Sequence, residues 1–328
     1  MSATQLAAAS NAAVYASMVT LTFAMVAFAI SFASGRRRVA VLAPAPQEID
    51  SAGSTALLIK STVSTQSTVL TKSAGGTPTD DQTGRRSANI GMSLTWLGFV
   101  LLLAGVVLRG VWAGRVPWGN MYEFSITAAL GILGVFLLVS LRRDVRWLGL
   151  FIVIPTLLTL GLAVTVLYTE AAQLVPALKS YWLIIHVSAA IICSGAFTLA
   201  AATAGLALVQ SRAERRGKSG RARVRTAEKL RTLTYRVLAF AFPLWTFAVV
   251  AGAIWAENAW GRYWGWDPKE TWAFITWVIY AAYLHARSTV GWRGDRASWV
   301  AIAGWAAFII NYFGVNIFIN SLHSYSGV

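Results

Sequence analysis

Six tryptophans are concentrated in one short stretch of the chain, residues 255–277. Three of them, Trp260, Trp264 and Trp266, alternate with glycines in a segment that joins two apolar windows. An aromatic belt at a membrane interface accounts for the tryptophans at the ends of the stretch. It accounts less well for the three inner rings, because segments exposed to water seldom present large apolar groups. Their flat faces suit a planar aromatic ligand, and packing on a membrane face is the alternative.

The three histidines are the other side chains that favour a specific chemistry. His186 and His323 are predicted at the outer ends of two apolar windows, on the same membrane face as the tryptophan segment. Two neutral imidazoles at one level supply both axial ligands of a haem iron. Each alone is more often a hydrogen-bonded interior residue, and that interpretation stays open. His285 is predicted roughly 20 Å further inward, so it needs a second ligand from a partner protein.

Charged side chains flank the inner tryptophans. Asp267-Pro268-Lys269-Glu270 has the order typical of a helix start, with Asp267 as the N-cap. Arg262 and Lys269 can pair with anionic groups such as haem propionates, or be solvated.

A second outer segment, 117–123, has a similar arrangement of residue types. Asn120 is followed three residues later by Glu123, which favours a capped helix start. As part of a binding site, Trp118 and Tyr122 would add aromatic wall and Glu123 a hydrogen-bond acceptor.

The elements that must position these residues are apolar helices. The chain has 328 residues, of which 56% are hydrophobic and 12% charged, which excludes an ordinary soluble domain. Windows long enough to cross a bilayer predict an all-α integral membrane protein, a bundle of about eight transmembrane helices. The windows are 12–33, 91–112, 121–140, 147–168, 181–209, 237–256, 272–290 and 298–320.

The net charge of +15 is explained by its distribution and not by nucleic-acid binding. With the amino terminus outside, the inner segments hold 23 of the 28 Lys and Arg residues, and both termini are extracytoplasmic. The basic charge also favours contact with the anionic lipid bilayer. The exceptions, on the outer side, are Arg109, Arg115, Lys179, Arg262 and Lys269.

Composition divides the chain into three parts. Residues 1–38 hold an N-terminal transmembrane helix, and 39–89 are rich in Ser, Thr, Ala, Gly and Pro, which predicts a disordered cytoplasmic linker. Residues 90–328 form the predicted seven-helix core with the outer loop in 255–277. The one cysteine, Cys193, excludes an intrachain disulfide and a Cys-x-x-Cys-His motif, so the chain is not itself a c-type cytochrome.

The segment from Trp264 to Trp272 resembles the WWD signature of haem-handling proteins, and the chain is similar to the CcsA/ResC family, called CcsB in some lineages. Further matches occur in the same order over 90–328: the 117–123 loop, the region of His186, the Leu284-His285-Ala-Arg287 element and the terminal Leu322-His323-Ser-Tyr325. The WWD tryptophans and Asp267 are thereby implied in haem binding.

The resemblance implies a subunit of a holocytochrome c synthase, or cytochrome c haem lyase, that uses haem b. His186 and His323 would be the external axial pair and His285 the membrane histidine, with the other membrane ligand supplied by a CcsB/ResB-type subunit. Haem would be attached to the CxxCH motif of apocytochrome c at the extracytoplasmic face of a bacterial plasma membrane. A thioredoxin-like protein would keep the thiols reduced. The alternatives are a WWD haem exporter or chaperone without ligation activity, a b-type electron-transfer subunit and a plain transporter.

Overall fold

The computed structural model describes residues 1–41, 78–171, 178–217, 225–289, 292, 294–319 and 321–322. All regular structure in these ranges is helical, which confirms the predicted all-α class. The described ranges contain nine α-helices: α1 Ala3–Val41, α2 Pro78–Ala113, α3 Met121–Arg142, α4 Gly149–Thr165, α5 Tyr181–Arg215, α6 Ala227–Trp260, α7 Pro268–Ser288, α8 Asp295–Ile309 and α9 Val315–Phe318. A 3₁₀ turn, Arg146–Leu148, precedes α4, and a π-helical turn, Ile310–Gly314, joins α8 to α9.

Seven helical segments in the described ranges are long and apolar enough to cross a membrane, one fewer than predicted. The difference is α7, whose 21 residues reach about 32 Å at 1.5 Å per residue. Lys269, Glu270, His285 and Arg287 lower its hydropathy, so it falls outside the apolar set although its length suits a span. The remaining predicted windows coincide with α1 to α6 and with the segment from α8 to α9.

Helix α1 packs antiparallel along α2 with a seven-residue period. A Cβ added at Gly91, Gly98 or Gly105 would come within 3.0 Å of Phe28, Leu21 or Val14 respectively. The hydroxyls of Ser17 and Ser10 donate to the carbonyls of Gly98 and Gly105 at 2.7 and 2.8 Å. Lipid tails are as apolar as the surfaces of the helices, so helices in a membrane associate through close packing, which small residues allow. The two helices extend into both ends of the predicted linker, and residues 42–77 lie outside the described ranges.

Helix α5 occupies the middle of the bundle and contacts α3, α6 and α8. Its Phe197 stacks on Tyr280 of α7 with ring centroids 4.4 Å apart, and it meets Trp245 of α6 and Phe308 of α8 edge to face. All four rings are buried. This aromatic layer joins α5, α6, α7 and α8.

Ion pairs tie the helices together at the opposite end of the bundle. Asp295, at the start of α8, accepts from Arg215 of α5 at 2.8 Å and from Arg231 of α6 at 2.5 Å. Glu228 lies 3.7 Å from Arg287 of α7. We call this the basic end and the end with residues 114–120 and 261–267 the loop end.

Candidate functional site

A cavity opens at the loop end among α3, α5, α6, α7 and the segment from α8 to α9. It holds about 1170 Å³ of empty space, of which the open mouth is part. Its wall is mostly aromatic and aliphatic. The residues with polar groups in its lining are His186, Ser194, Tyr263, Trp264, Lys269, Glu270, Asn311, Tyr312, Asn316 and the indoles of Trp245 and Trp255.

His186 is held in this wall by α6. Its Nδ1 lies 2.7 Å from the carbonyl oxygen of Ala248, and its ring stacks on Trp255 with centroids 6.2 Å apart and an interplanar angle of 16°. A carbonyl only accepts, so Nδ1 carries the proton and the neutral ring has its lone pair on Nε2. A backbone carbonyl that accepts from the far nitrogen of the ring commonly fixes the tautomer of a metal-binding imidazole. His186 is therefore prepared to act as an Nε2 ligand.

Gly252 makes this arrangement possible. A Cβ at that position would lie 2.8 Å from Cε1 and Nδ1 of His186, closer than side chains pack. The glycine thus lets the imidazole lie directly against the backbone of α6.

The loop before α7 is organised by two carboxylates. Asp267 accepts from the backbone N–H of Lys269 at 3.0 Å and Glu270 accepts from that of Asp267 at 3.1 Å, which completes a capping box and confirms the predicted helix start. Glu270 also accepts from the backbone N–H of Gly265 at 2.8 Å and pairs with Arg262 at 3.1 Å. Arg262 is thus occupied by Glu270, whereas Lys269 lines the cavity.

The tryptophans of the 255–277 stretch do not form one platform. Trp264 lines the cavity, and Trp260 packs edge to face on Trp255 with centroids 4.9 Å apart. Trp266 is 63% exposed and meets Phe274 of α7 at 5.9 Å. The backbone of Trp266 is left-handed, with a φ of 57°, which costs about 1–2 kcal/mol in a non-glycine residue. The ring of Trp266 points outward in this conformation. Trp272 is half-buried on α7 and is not part of the cavity lining.

The second loop, 117–123, forms an ion-pair centre around Glu123, and its Met121 lines the cavity. Glu123 is fully buried and accepts from Arg109 at 3.0 Å, from Arg115 at 2.7 Å and from the backbone N–H of Gly119 at 2.7 Å. Asn120 caps α3 by accepting from the N–H of Glu123 at 2.9 Å.

Trp118 and Tyr122, the predicted aromatic wall, lie outside the lining. Tyr122 is buried against Tyr168, with ring centroids 5.1 Å apart, and the Arg109 guanidinium lies 5.0 Å from its ring. Trp118 packs in a small apolar cluster with Trp255 and Leu178. The cavity is instead bounded on this side by Met121 and Phe124.

The other two histidines have different positions. His285 is exposed near the basic end of α7, twelve residues from the cavity-lining Ala273, or about 18 Å along the helix. His323 lies outside the described residues. The preceding residue is described: the backbone N–H of Leu322 donates to Oδ2 of Asp267 at 3.0 Å. Asp267 therefore links the loop to the end of the chain.

Two asparagines in the cavity wall, Asn311 and Asn316, were not anticipated from the sequence. Both are 5% exposed, and Asn311 belongs to the π-helical turn. Amide side chains within an apolar span are the sequence signal that would have identified them.

Comparison with known proteins places this arrangement in a family. The profile of the family described as "Cytochrome C assembly protein" matches residues 118–323. A "Cytochrome c biogenesis protein CcsA" of Guillardia theta is 34% identical over 72% of this chain and 85% of its own length. The protein of that name from Prochlorococcus marinus is 36% identical over 69% of this chain and 80% of its own.

A solved structure shares the fold. "Cytochrome c Heme Lyase CcmF" superposes with a TM-score of 0.53 at 14% identity, over 92% of this chain and 46% of that one. This chain thus spans about half the length of that structure, and the likeness concerns the fold alone. By the matched profile and the identity to its relatives, the chain belongs to the cytochrome c assembly protein family, as a CcsA-type protein of cytochrome c biogenesis.

Proposed function

We propose that this chain takes up haem b, holds it in the cavity at the loop end and presents it to apocytochrome c for thioether attachment. It would thereby serve as a subunit of a holocytochrome c synthase. The observation that carries the proposal is His186 in the cavity wall, whose Nδ1–H donates to the carbonyl of Ala248, so that Nε2 is the nitrogen that would ligate the iron. His323 would supply the opposite axial ligand.

The residues of the cavity fit a haem. Trp264 offers an aromatic ring, Trp255 supports the ring of His186 from behind, and Lys269 brings an amine that suits a propionate. Asn311 has a buried amide oxygen with no partner among the described residues, so the wall has polar capacity that the protein does not use. Haem as substrate contributes its vinyl groups, which two cysteine thiols of the apocytochrome attack.

This chain contributes position and not an acid–base pair. Ala248 and Trp255 orient His186, and the capping box orients Trp264 and Lys269. Holding reactants in a productive arrangement lowers a barrier by converting an encounter into a local event. Asp267 adds the link to Leu322 and so to the segment that carries His323.

A membrane partner of the CcsB/ResB type would complete a second haem position at His285. Phe274, Val278 and His285 are exposed and are spaced by four and seven residues, so they share one face of α7. That face lies outside the bundle described here, where a second protein can supply the other ligand. Haem would pass from His285 to the loop end.

The loop end is proposed to be extracytoplasmic and the basic end cytoplasmic, in a bacterial plasma membrane. The ion-paired arginines Arg215, Arg231 and Arg287 lie at the basic end, as the positive-inside rule requires. Apocytochrome c and a thiol-reducing thioredoxin-like protein would therefore approach the loop end.

Ligation is tested by incubating the chain and its membrane partner with haem, a thiol reductant and a CxxCH peptide, then measuring acid-stable haem on the peptide. We expect covalent haem with the wild type, a loss with His186→Ala, and partial recovery with added imidazole. Asn258→Ala is the control, because Asn258 is an exposed residue of α6 near the same end. Haem bound without transfer to the peptide would instead identify a haem exporter or chaperone.

A further inference from the structure

The segment from α8 to α9 contains a π-helical turn, and two residues of this turn, Asn311 and Tyr312, line the cavity. Ile310–Gly314 closes with i to i+5 hydrogen bonding, whereas α8 before it and α9 after it are α-helical. Such turns are rare and recur at functional sites. Here the turn has a geometric consequence for two amides, Asn311 and Asn316.

Asn311 and Asn316 are five residues apart, and both line the cavity. In a regular α-helix, residues five apart point roughly 140° away from each other. A π-helical turn takes up an additional residue, so side chains five apart come to the same side. The turn therefore directs both amides into one cavity, where a continuous α-helix would direct one of them away.

Asn311 is a polar residue of the cavity wall whose amide can make a further hydrogen bond. Its side chain is 5% exposed and its Oδ1 has no hydrogen-bond partner within the described residues. A buried polar atom without a partner costs roughly 1–3 kcal/mol, so its presence calls for a ligand or water. Asn316 donates from Nδ2 to the carbonyl of Tyr312 at 2.6 Å, which fixes its amide beside the turn.

The residues around Asn311 and Asn316 indicate which chemical group the two amides would bind. An amide presents either its oxygen or its NH₂ by a half-turn of the side chain, so Asn311 can donate to an acceptor. Lys269 lines the same cavity, and α7 packs against both the π-helical turn and α9. Two amides and the side chain of Lys269 in one part of the wall suit a carboxylate, and the lining carboxylate of Glu270 is already paired with Arg262 at 3.1 Å.

We propose that Asn311 and Asn316, brought together by the π-helical turn, form the subsite that receives a propionate carboxylate of the haem. This inference rests on the proposed function, and it assigns the polar edge of the ligand to the α8 side of the cavity. It also gives the π-helical turn a role, because straightening it would remove one amide from the subsite.

The test compares haem with its dimethyl ester, in which both propionates are neutral and lack the carboxylate. Affinities are measured by optical titration of the full chain purified with its membrane partner. With Asn311→Leu we expect haem affinity to fall roughly tenfold, the effect of losing one hydrogen bond to a charged group, with little change for the ester. Asn311→Asp, of equal size, places a carboxylate opposite the propionate and is expected to weaken haem at least as much, again selectively.

Asn258→Leu is the matched control, because its amide donates to Ile254 on the exposed surface of α6. An equal loss of haem and ester binding in both Asn311 variants, or no loss in either, would overturn the subsite. Failure of the wild type and of the control to bind either porphyrin would instead contradict the proposed function itself.

Discussion

Replacing Gly252 by alanine tests whether the contact of α6 with His186 sets up the haem ligand. The added Cβ would lie 2.8 Å from two atoms of the imidazole, so the ring must shift and its 2.7 Å hydrogen bond to Ala248 must lengthen. Overpacking costs about 1–3 kcal/mol and a lost hydrogen bond about 1 kcal/mol. We therefore expect haem affinity to fall by about 2 kcal/mol, or roughly thirtyfold.

The assay is an optical haem titration of the chain purified with its membrane partner. Gly205→Ala is the matched control, since it makes the same change in α5 and its Cβ would meet nothing within 4 Å. Free imidazole is expected to restore binding to Gly252→Ala but to leave the control unchanged.

A double variant separates this mechanism from general damage. If Gly252→Ala acts through His186, adding it to His186→Ala causes no further loss, because the ring it displaces is already absent. Losses that add, or wild-type affinity in Gly252→Ala alone, would refute the reasoning.

Three further changes test other parts of the structure. Asp267→Ala removes the acceptor for the N–H of Leu322 and the N-cap of α7. We expect lower cytochrome c maturation that added imidazole partly restores. A loss that imidazole does not restore would mean that Asp267 acts only as the helix cap. Glu123→Ala removes the buried carboxylate that pairs with Arg109 and Arg115, and we expect a destabilisation of about 3–5 kcal/mol, seen as reduced protein abundance. Normal abundance would contradict the ion-pair centre. Gly98→Leu would clash with Leu21 and push α1 away from α2, so we expect a lower melting temperature. Gly161→Leu is the control, because a Cβ at Gly161 meets nothing within 4 Å, and we expect it to leave the melting temperature unchanged.

Local chemistry made several features predictable. Apolar windows located the helices because lipid requires every backbone group to be paired within its own segment. The order Asp267-Pro268-Lys269-Glu270 predicted the start of α7, since each residue type acts on its own neighbourhood. The placement of His186 in the second turn of α5 followed from the predicted start of this helix at Tyr181.

Features that depend on distant contacts were not predictable in the same way. Glu123 was predicted either as part of a capped helix start or as a hydrogen-bond acceptor in a binding site. The cap at Asn120 forms, but the carboxylate of Glu123 accepts from Arg109, fourteen residues earlier in the chain. The outward direction of Trp266 accompanies one left-handed residue in a loop. The π-helical turn at Asn311 has no sequence signature that composition or periodicity reveals.

The central claim is that His186 ligates haem iron from the wall of the loop-end cavity. The most direct measurement is the optical spectrum of haem bound to the wild type and to His186→Ala, each purified with the membrane partner. We expect the wild type to show the low-spin spectrum of an iron with two imidazoles, and the variant to lose it and regain it with free imidazole. An unchanged low-spin spectrum in His186→Ala would contradict the account.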